Sequence, residues 1–248
     1  MAQFVTAAYT QGGVTFIGES ERRRDEFQAG LALRLGLPFD SQLELSVPYQ
    51  FVDQSTVTSV GFSELLETSD SGSALGDVSV GLAHTFLRER GWLPDLVGRV
   101  RWDSDTGQRV DNGVSLGGGF NEVSASLTAI KRKDPLVFVG SVTYGTTFET
   151  DDIDPGDMIG FSVGAFLAAS PETSLRFVFD QRFINELEIG GLEIDGSDQT
   201  IGTFTIGASS VLGRGALLDV AGSIGLTNDG PDYSVFISLP IRFDAPFF

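Results

Sequence analysis

The sequence contains no cysteine and a single histidine, His84. Without cysteine there is neither a disulfide nor a thiolate metal site, and one histidine cannot make a two-histidine metal centre. No run of eighteen apolar residues exists, which excludes a membrane-spanning helix. Basic residues are scarce: 16 Lys and Arg face 34 Asp and Glu, for a formal net charge of −18. No clustered basic face is left to hold a phosphate backbone, so nucleic acid is not expected as a partner. The opening MAQFVT lacks the basic start and apolar core of a secretory signal. If the protein is exported, its signal lies upstream of residue 1, where a plug or periplasmic domain would also belong.

What is present in quantity is glycine (31) and phenylalanine (20) among 248 residues, enough chain for one large all-β domain or two small ones. Mean hydropathy is +0.09. A soluble protein has that average, but so does a β-barrel with a wet interior, where every second strand residue is polar or small.

The stretch YSVFISLPIRF alternates strictly. Tyr233, Val235, Ile237, Leu239, Ile241 and Phe243 fall on one face of a strand, and Ser234, Phe236, Ser238, Pro240 and Arg242 on the other. Eleven residues is also what a tilted strand needs to cross a bilayer. The same alternation recurs. Phe27, Leu31, Leu33 and Leu35 oppose Glu26, Gln28, Gly30 and Arg34. Leu43, Leu45, Val47, Tyr49 and Phe51 oppose Glu44, Ser46, Pro48 and Gln50. Val78, Val80, Leu82, His84 and Phe86 oppose Asp77, Ser79, Gly81, Ala83 and Thr85. One face is large and apolar; the other is small, polar or charged.

This pattern predicts strands near 4–17, 24–36, 42–53, 75–88, 95–104, 121–131, 136–148, 158–169, 173–184, 199–211, 216–227 and 232–243, with Gly12-Gly13 as a bulge in the first. The connections sort by length. Short ones fall at 36–41, 88–95, 131–135, 170–173 and 213–216, and longer ones at 18–23, 54–74, 105–120, 149–157 and 185–198, with a brief one at 228–231. Long loops carry acids (Asp151, Asp152, Asp154, Glu186, Glu188), whereas short turns carry bases (Arg88, Arg90, Lys131, Arg132); the first loop, with Arg22, Arg23 and Arg24, breaks the pattern. Outer-membrane barrels place short turns in the periplasm and long loops outside. Aromatic residues near strand ends, such as Tyr49, Trp92, Trp102 and Phe183, stand where interfacial girdles sit.

A soluble two-sheet sandwich also alternates, but it hides its apolar face and has no reason to sort its turns by end. The expectation is therefore an all-β fold: one closed antiparallel up-and-down transmembrane barrel of twelve strands spanning residues 1–248, in a Gram-negative outer membrane. The closing strand, Tyr233 to Phe243, has the form of an assembly signal, although DAPFF follows it and leaves Phe243 and Phe248 as alternatives for the terminal aromatic.

The polar face then becomes the candidate site. Arg34, Glu44, Asp77, Arg99, Arg101, Asp103, Arg176, Asp180, Arg182, Asp219 and Arg242, with Glu26, all fall on it. Unpaired charges in a low-dielectric wall are costly, so these must pair or face water. Lining a pore, they would select what passes; paired across it, they would plug it. Asp77 is a candidate partner for Arg99 and Arg101. Small residues at Ser79, Gly81, Ala83, Gly160, Ser162 and Gly164 favour an open passage. No catalytic, cofactor or metal site is expected. His84 lies near the short-turn end with no Gly-x-Ser-x-Gly sequence, and ETDDIDPGD matches no EF-hand spacing.

Three segments together, LRLGLPFDSQLELSVPYQF, LGDVSVGLAHTFLRERGWLPDLVGRVRW and SVFISLPIRF, resemble the outer-membrane barrels of the MetA-pathway phenol-degradation, transporter-like family. The most specific part is LGDV-x-VGL followed by a short turn and P-x-L. The resemblance spans about residues 25–243 and implies an outer-membrane channel, with lipid, lipopolysaccharide and the barrel-assembly machinery as partners. The chain is also similar to the FapF amyloid-secretion channels, which would imply a homotrimer exporting unfolded polypeptide. From the residues, passage of extended polypeptide or small polar solutes is favoured. Uptake of small apolar or aromatic compounds, or a non-transporting adhesion barrel, is the alternative.

Overall fold

The computed structural model describes residues 2–11, 14–60, 63–116, 119–213 and 215–243. The strands, in chain order, are β1 (Ala2–Gln11), β2 (Val14–Leu37), β3 (Ser41–Val60), β4 (Ser63–Leu75), β5 (Ser79–Leu87), β6 (Asp95–Asp103), β7 (Val110–Asp111), β8 (Val114–Ser115) and β9 (Glu122–Lys133). The second half continues with β10 (Leu136–Thr147), β11 (Ile153–Asp154), β12 (Met158–Ala168), β13 (Thr173–Ile184), β14 (Glu188–Ile189), β15 (Leu192–Glu193), β16 (Gln199–Gly213), β17 (Ala216–Gly225) and β18 (Tyr233–Ser238). The described chain is all-β, and no helix in it is long and apolar enough to cross a membrane.

The main sheet has the order β1-β2-β3-β5-β6-β9-β10-β12-β13-β16-β17-β18, with β4 paired to β3 off this path. Among the described residues no ladder joins β1 to β18. Neighbours along the path from β9 onward are antiparallel and joined by short connections at one end and longer ones at the other. Small ladders of two-residue strands, β7–β8 and β11–β14–β15, lie in the longer connections.

Compactness divides the chain into two units. One holds residues 1–35, 44–80 and 102–121. The other holds 36–43, 81–101 and 122–248. In the second unit the registers agree with the predicted faces. Ser162 pairs with Asp180 and Gly160 with Arg182 across β12–β13, while Phe161, Val163 and Phe183 take the other face.

In the first unit the expected boundaries need correction. Residues 4–17 are not one strand and 18–23 are not a loop: β1 and β2 form a hairpin in which Ala2 pairs with Arg23 and Gln11 with Val14. Gly12-Gly13 lies at this connection, outside the described residues. The segment Gly18 to Arg23 reads as a loop because it lacks an apolar face.

Residues 54–74 are likewise a β3–β4 ladder running from Tyr49↔Leu75 to Val60↔Ser63. Ser and Thr suggested a loop, but Thr56, Val57 and Thr58 suit a pleated surface. At 20 residues, β3 spans about 66 Å, twice the hydrocarbon thickness of about 30 Å. The predicted strand 75–88 starts only at Ser79 because Pro48 offers no N–H opposite it; Gly76 N donates to Pro48 O at 3.0 Å instead.

The last strand is shorter than 232–243 for the same reason. Its ladder stops at Ser238 because Pro240 cannot donate. The register nevertheless holds through an Ala216↔Ile241 bridge and Leu217 N donating to Pro240 O at 3.0 Å. Phe248 lies outside the described residues.

Candidate functional site

On β5, β12 and β17 the two faces differ in what they touch, whereas on β2 and the closing strand both are exposed. The alternate apolar set points away from protein: Leu31 is 81% exposed and Val235 73%, with Phe27, Leu33, Leu82, Ile159 and Ile224 exposed beside them. Tyr233, Ile237, Leu239, Ile241 and Phe243 of the closing segment are exposed as well. Among the described residues the buried hydrophobics are only Val52, Ala83, Val114, Leu116 and Ala221. Each large apolar side chain left in water forgoes about 1.5–3 kcal/mol. A sandwich would not fold with this face outward; a sheet facing lipid would.

On the opposite face, β13, β16 and β17 assemble a buried polar network. Arg176 pairs with Gly207, which in turn pairs with Ala221, and Ser209 pairs with Asp219. Arg176 Nη1 donates to Asp219 Oδ2 at 2.6 Å and Ser209 Oγ donates to Asp219 Oδ1 at 2.9 Å. Asp219 is 8% exposed. The arginine reaches it by lying over Gly207, where a Cβ would come within 2.7 Å of Arg176 Nε and 2.9 Å of Ala221 Cβ. An uncompensated carboxylate here would be costly, so the pair and the glycine form one device.

At the short-turn end, ion pairs stitch neighbouring turns together. Arg88 pairs with Asp40. Lys131 reaches Glu89 at 2.8 Å, and Arg132 reaches Glu89 at 3.2 Å and Asp95 at 2.5 Å. Asp95 also accepts from Glu89 N at 2.5 Å. The Arg88 guanidinium holds the Asp40 carboxyl below its usual range, and Lys131 does the same for Glu89. His84 sits beside them: its Nδ1 is 3.0 Å from Ser41 Oγ, and its ring meets Phe86 edge-on at 4.9 Å. Ser41 Oγ also donates to Phe39 O at 3.2 Å.

At the loop end, Asp154, Asp157, Glu186, Glu188, Glu193 and Asp198 line a cavity of about 660 Å³. Several of these carboxylates are engaged in loop structure. Asp154 Oδ1 accepts from Gly156 N at 2.9 Å, Glu186 Oε1 accepts from Gly196 N at 3.1 Å, and Asp157 Oδ2 accepts from Tyr144 OH at 2.6 Å. The Tyr144 phenol, with Thr146, holds Asp157 below the usual carboxylate range. Among the described residues no group of three or more His, Cys, Asp or Glu is placed to hold a metal ion.

Of the predicted charge set, the structure brings Arg176 and Asp219 together. Asp77 meets backbone: its Oδ1 accepts from Gly107 N at 2.6 Å and its Oδ2 from Gly119 N at 2.9 Å. Two backbone N–H groups of the segment after β6 thus hold the Asp77 carboxylate. Glu44, Arg99, Asp103 and Asp180 are half-buried, while Arg34, Arg101, Arg182 and Arg242 are exposed. Val100 and Trp102 are exposed on the other side of the Arg99 strand, as the alternation requires. Ser209, Gly207, Glu89 and Asp95 escaped the sequence reading. The signal for the last two was the basic KRK of 131–133 facing Glu89 and Asp95 at the same end; nothing local marks Ser209.

No protein-family model matches the chain. The fold is nonetheless similar to that of a solved outer membrane channel. That structure is the COG4313 outer membrane channel from Pseudomonas putida F1, at a TM-score of 0.64 and 18% sequence identity, covering 96% of this chain and 90% of that one. CdiB from Acinetobacter baumannii matches at a TM-score of 0.40 and 13% identity, covering 94% of this chain and 44% of its own.

Proposed function

We propose that the main sheet closes between its end strands into a twelve-stranded barrel in a Gram-negative outer membrane. Its polar face would then line a channel for small polar solutes. One observation carries the reading: among the residues whose side chains are described, large apolar residues at alternate positions of strands such as β5, β12 and β17 are exposed, while charges and small residues occupy the other face. The twelve-strand path of the main sheet and its fold likeness to the COG4313 channel support it. They also favour the resemblance to the MetA-pathway transporter-like barrels over the FapF-like one.

On this reading lipid and lipopolysaccharide cover the outer face, and the ion-paired turns face the periplasm. Small solutes are favoured over extended polypeptide because inner side chains fold onto one another, as Arg176 does on Asp219. His84 then serves as a girdle residue bonded to Ser41 rather than as a catalyst. Planar-bilayer recording of the refolded chain tests the proposal. Discrete, salt-dependent conductance is expected, and background current alone would overturn it.

A further inference from the structure

The stretch from Ser104 to Leu116 does not behave as a solvated loop. Val114 and Leu116 from this segment pack with Val52, at 0%, 3% and 0% exposure, and Ala74 joins them. This is a small hydrophobic core, and the loop supplies two of its three buried members. Gly72 makes the approach close: a Cβ there would meet Asp111 O at 2.8 Å and Val114 Cβ at 3.3 Å. Around this contact Ser73 N donates to Asp111 Oδ2 at 3.0 Å, and Arg24 Nη1 donates to Ser115 O at 2.7 Å.

The docked face is the polar one. Val52, whose partner across the ladder is Gly72, alternates with Phe51, which is 43% exposed on the other side. Arg24 stands in the same alternate set as Glu26 and Gln28. Asp77 accepts from Gly107 N within the segment and from Gly119 N just beyond it. Gly119 has φ +86°, a conformation that glycine adopts freely. Ser104 Oγ donates to Val78 O at 2.7 Å and fastens the entry.

We propose that residues 104–116 are a lid, docked on the inner face at the loop-side mouth and clasped by Asp77, that limits by size which solutes enter. The inference rests on the channel reading. A loop bracing only the outside of the β3–β4 hairpin would bury nothing against Val52 and would leave the passage unchanged.

Swelling of proteoliposomes in neutral sugars of increasing size tests it on the full chain. Asp77→Ala removes the clasp, and Gly72→Val pushes Asp111 and Val114 away. In both variants the larger sugars excluded by the parent should enter, with rates for them rising at least about tenfold as the docked state is lost. An unchanged size limit in both, with the parent conducting, overturns the lid and leaves the channel standing. No swelling for the parent or either variant overturns the channel reading itself.

Docking is also read independently of pore function. Trypsin cleavage after Arg109 should be slow in the parent and at least about tenfold faster in the variants; equal rates overturn the docked state. If either variant fails to fold, an Ala74→Cys, Leu116→Cys pair in this cysteine-free chain decides. Ready disulfide formation with copper phenanthroline supports docking, and refusal to cross-link overturns it.

Discussion

Gly207 shows how one missing side chain organises a buried charge. Arg176 is long enough to reach Asp219 two strands away only because the residue between them has no Cβ. Gly207→Val should therefore disturb the same network as removing the arginine, although it deletes no charge. Arg176→Ala strands a carboxylate whose remaining side-chain partner is Ser209, and should cost about 1–3 kcal/mol. Asp219→Asn, which keeps an acceptor for Ser209, should cost less than Arg176→Ala. Urea unfolding in lipid, followed by the heat-modifiable mobility of barrels, would measure all three. A Gly207→Val midpoint equal to the parent's would show that the arginine has another route. None of this was legible in the sequence beyond the two charges, since the geometry belongs to three strands in register and not to any local pattern.

At the scale of elements, the turns between β2 and β3, β5 and β6, and β9 and β10 are coupled by carboxylates whose pKa values are depressed. A group of that kind contributes stability above its unfolded pKa and loses it as pH falls through the folded one. Asp40 and Glu89 should therefore leave this end unchanged above about pH 5 and loosen it below about pH 4. Trp92, 83% exposed in the same turn, reports the change by fluorescence in a Trp102→Phe background. A transition centred well above pH 5, or none down to pH 2, would count against the coupling.

Main-sheet strands between residues 95 and 225 were legible to within two residues, because one face is apolar and the other is not, whereas the two-residue strands in the loops were not. The β1–β2 and β3–β4 hairpins were not. Their Ser, Thr, Glu and Arg residues break the two-residue hydrophobic period, though the ladder runs on. Pro48 and Pro240 were visible as letters. Their effect, an interrupted ladder in an unbroken register, becomes visible only once a partner strand lies opposite.

At the scale of the whole molecule, an excess of acid sits in the loops while arginines punctuate the polar face. Screening confines each group's influence to about 8–10 Å at physiological salt, so acids at the mouth do not cancel arginines deeper in the wall. Arg99 and Arg101 lie about 6–7 Å apart along one strand, on the face opposite the exposed Val100 and Trp102. If the polar face lines the passage, these two guanidiniums raise the local concentration of anions there. Replacing both by glutamate inverts that field without changing the strand's apolar pattern. Under a salt gradient, the reversal potential of Arg99→Glu, Arg101→Glu should move toward cation selectivity relative to the parent. A single Arg182→Glu, on another strand but the same face, should produce a smaller shift of the same sign. Identical reversal potentials in parent and double variant would show that the two arginines hold the wall together without reaching the permeating ion.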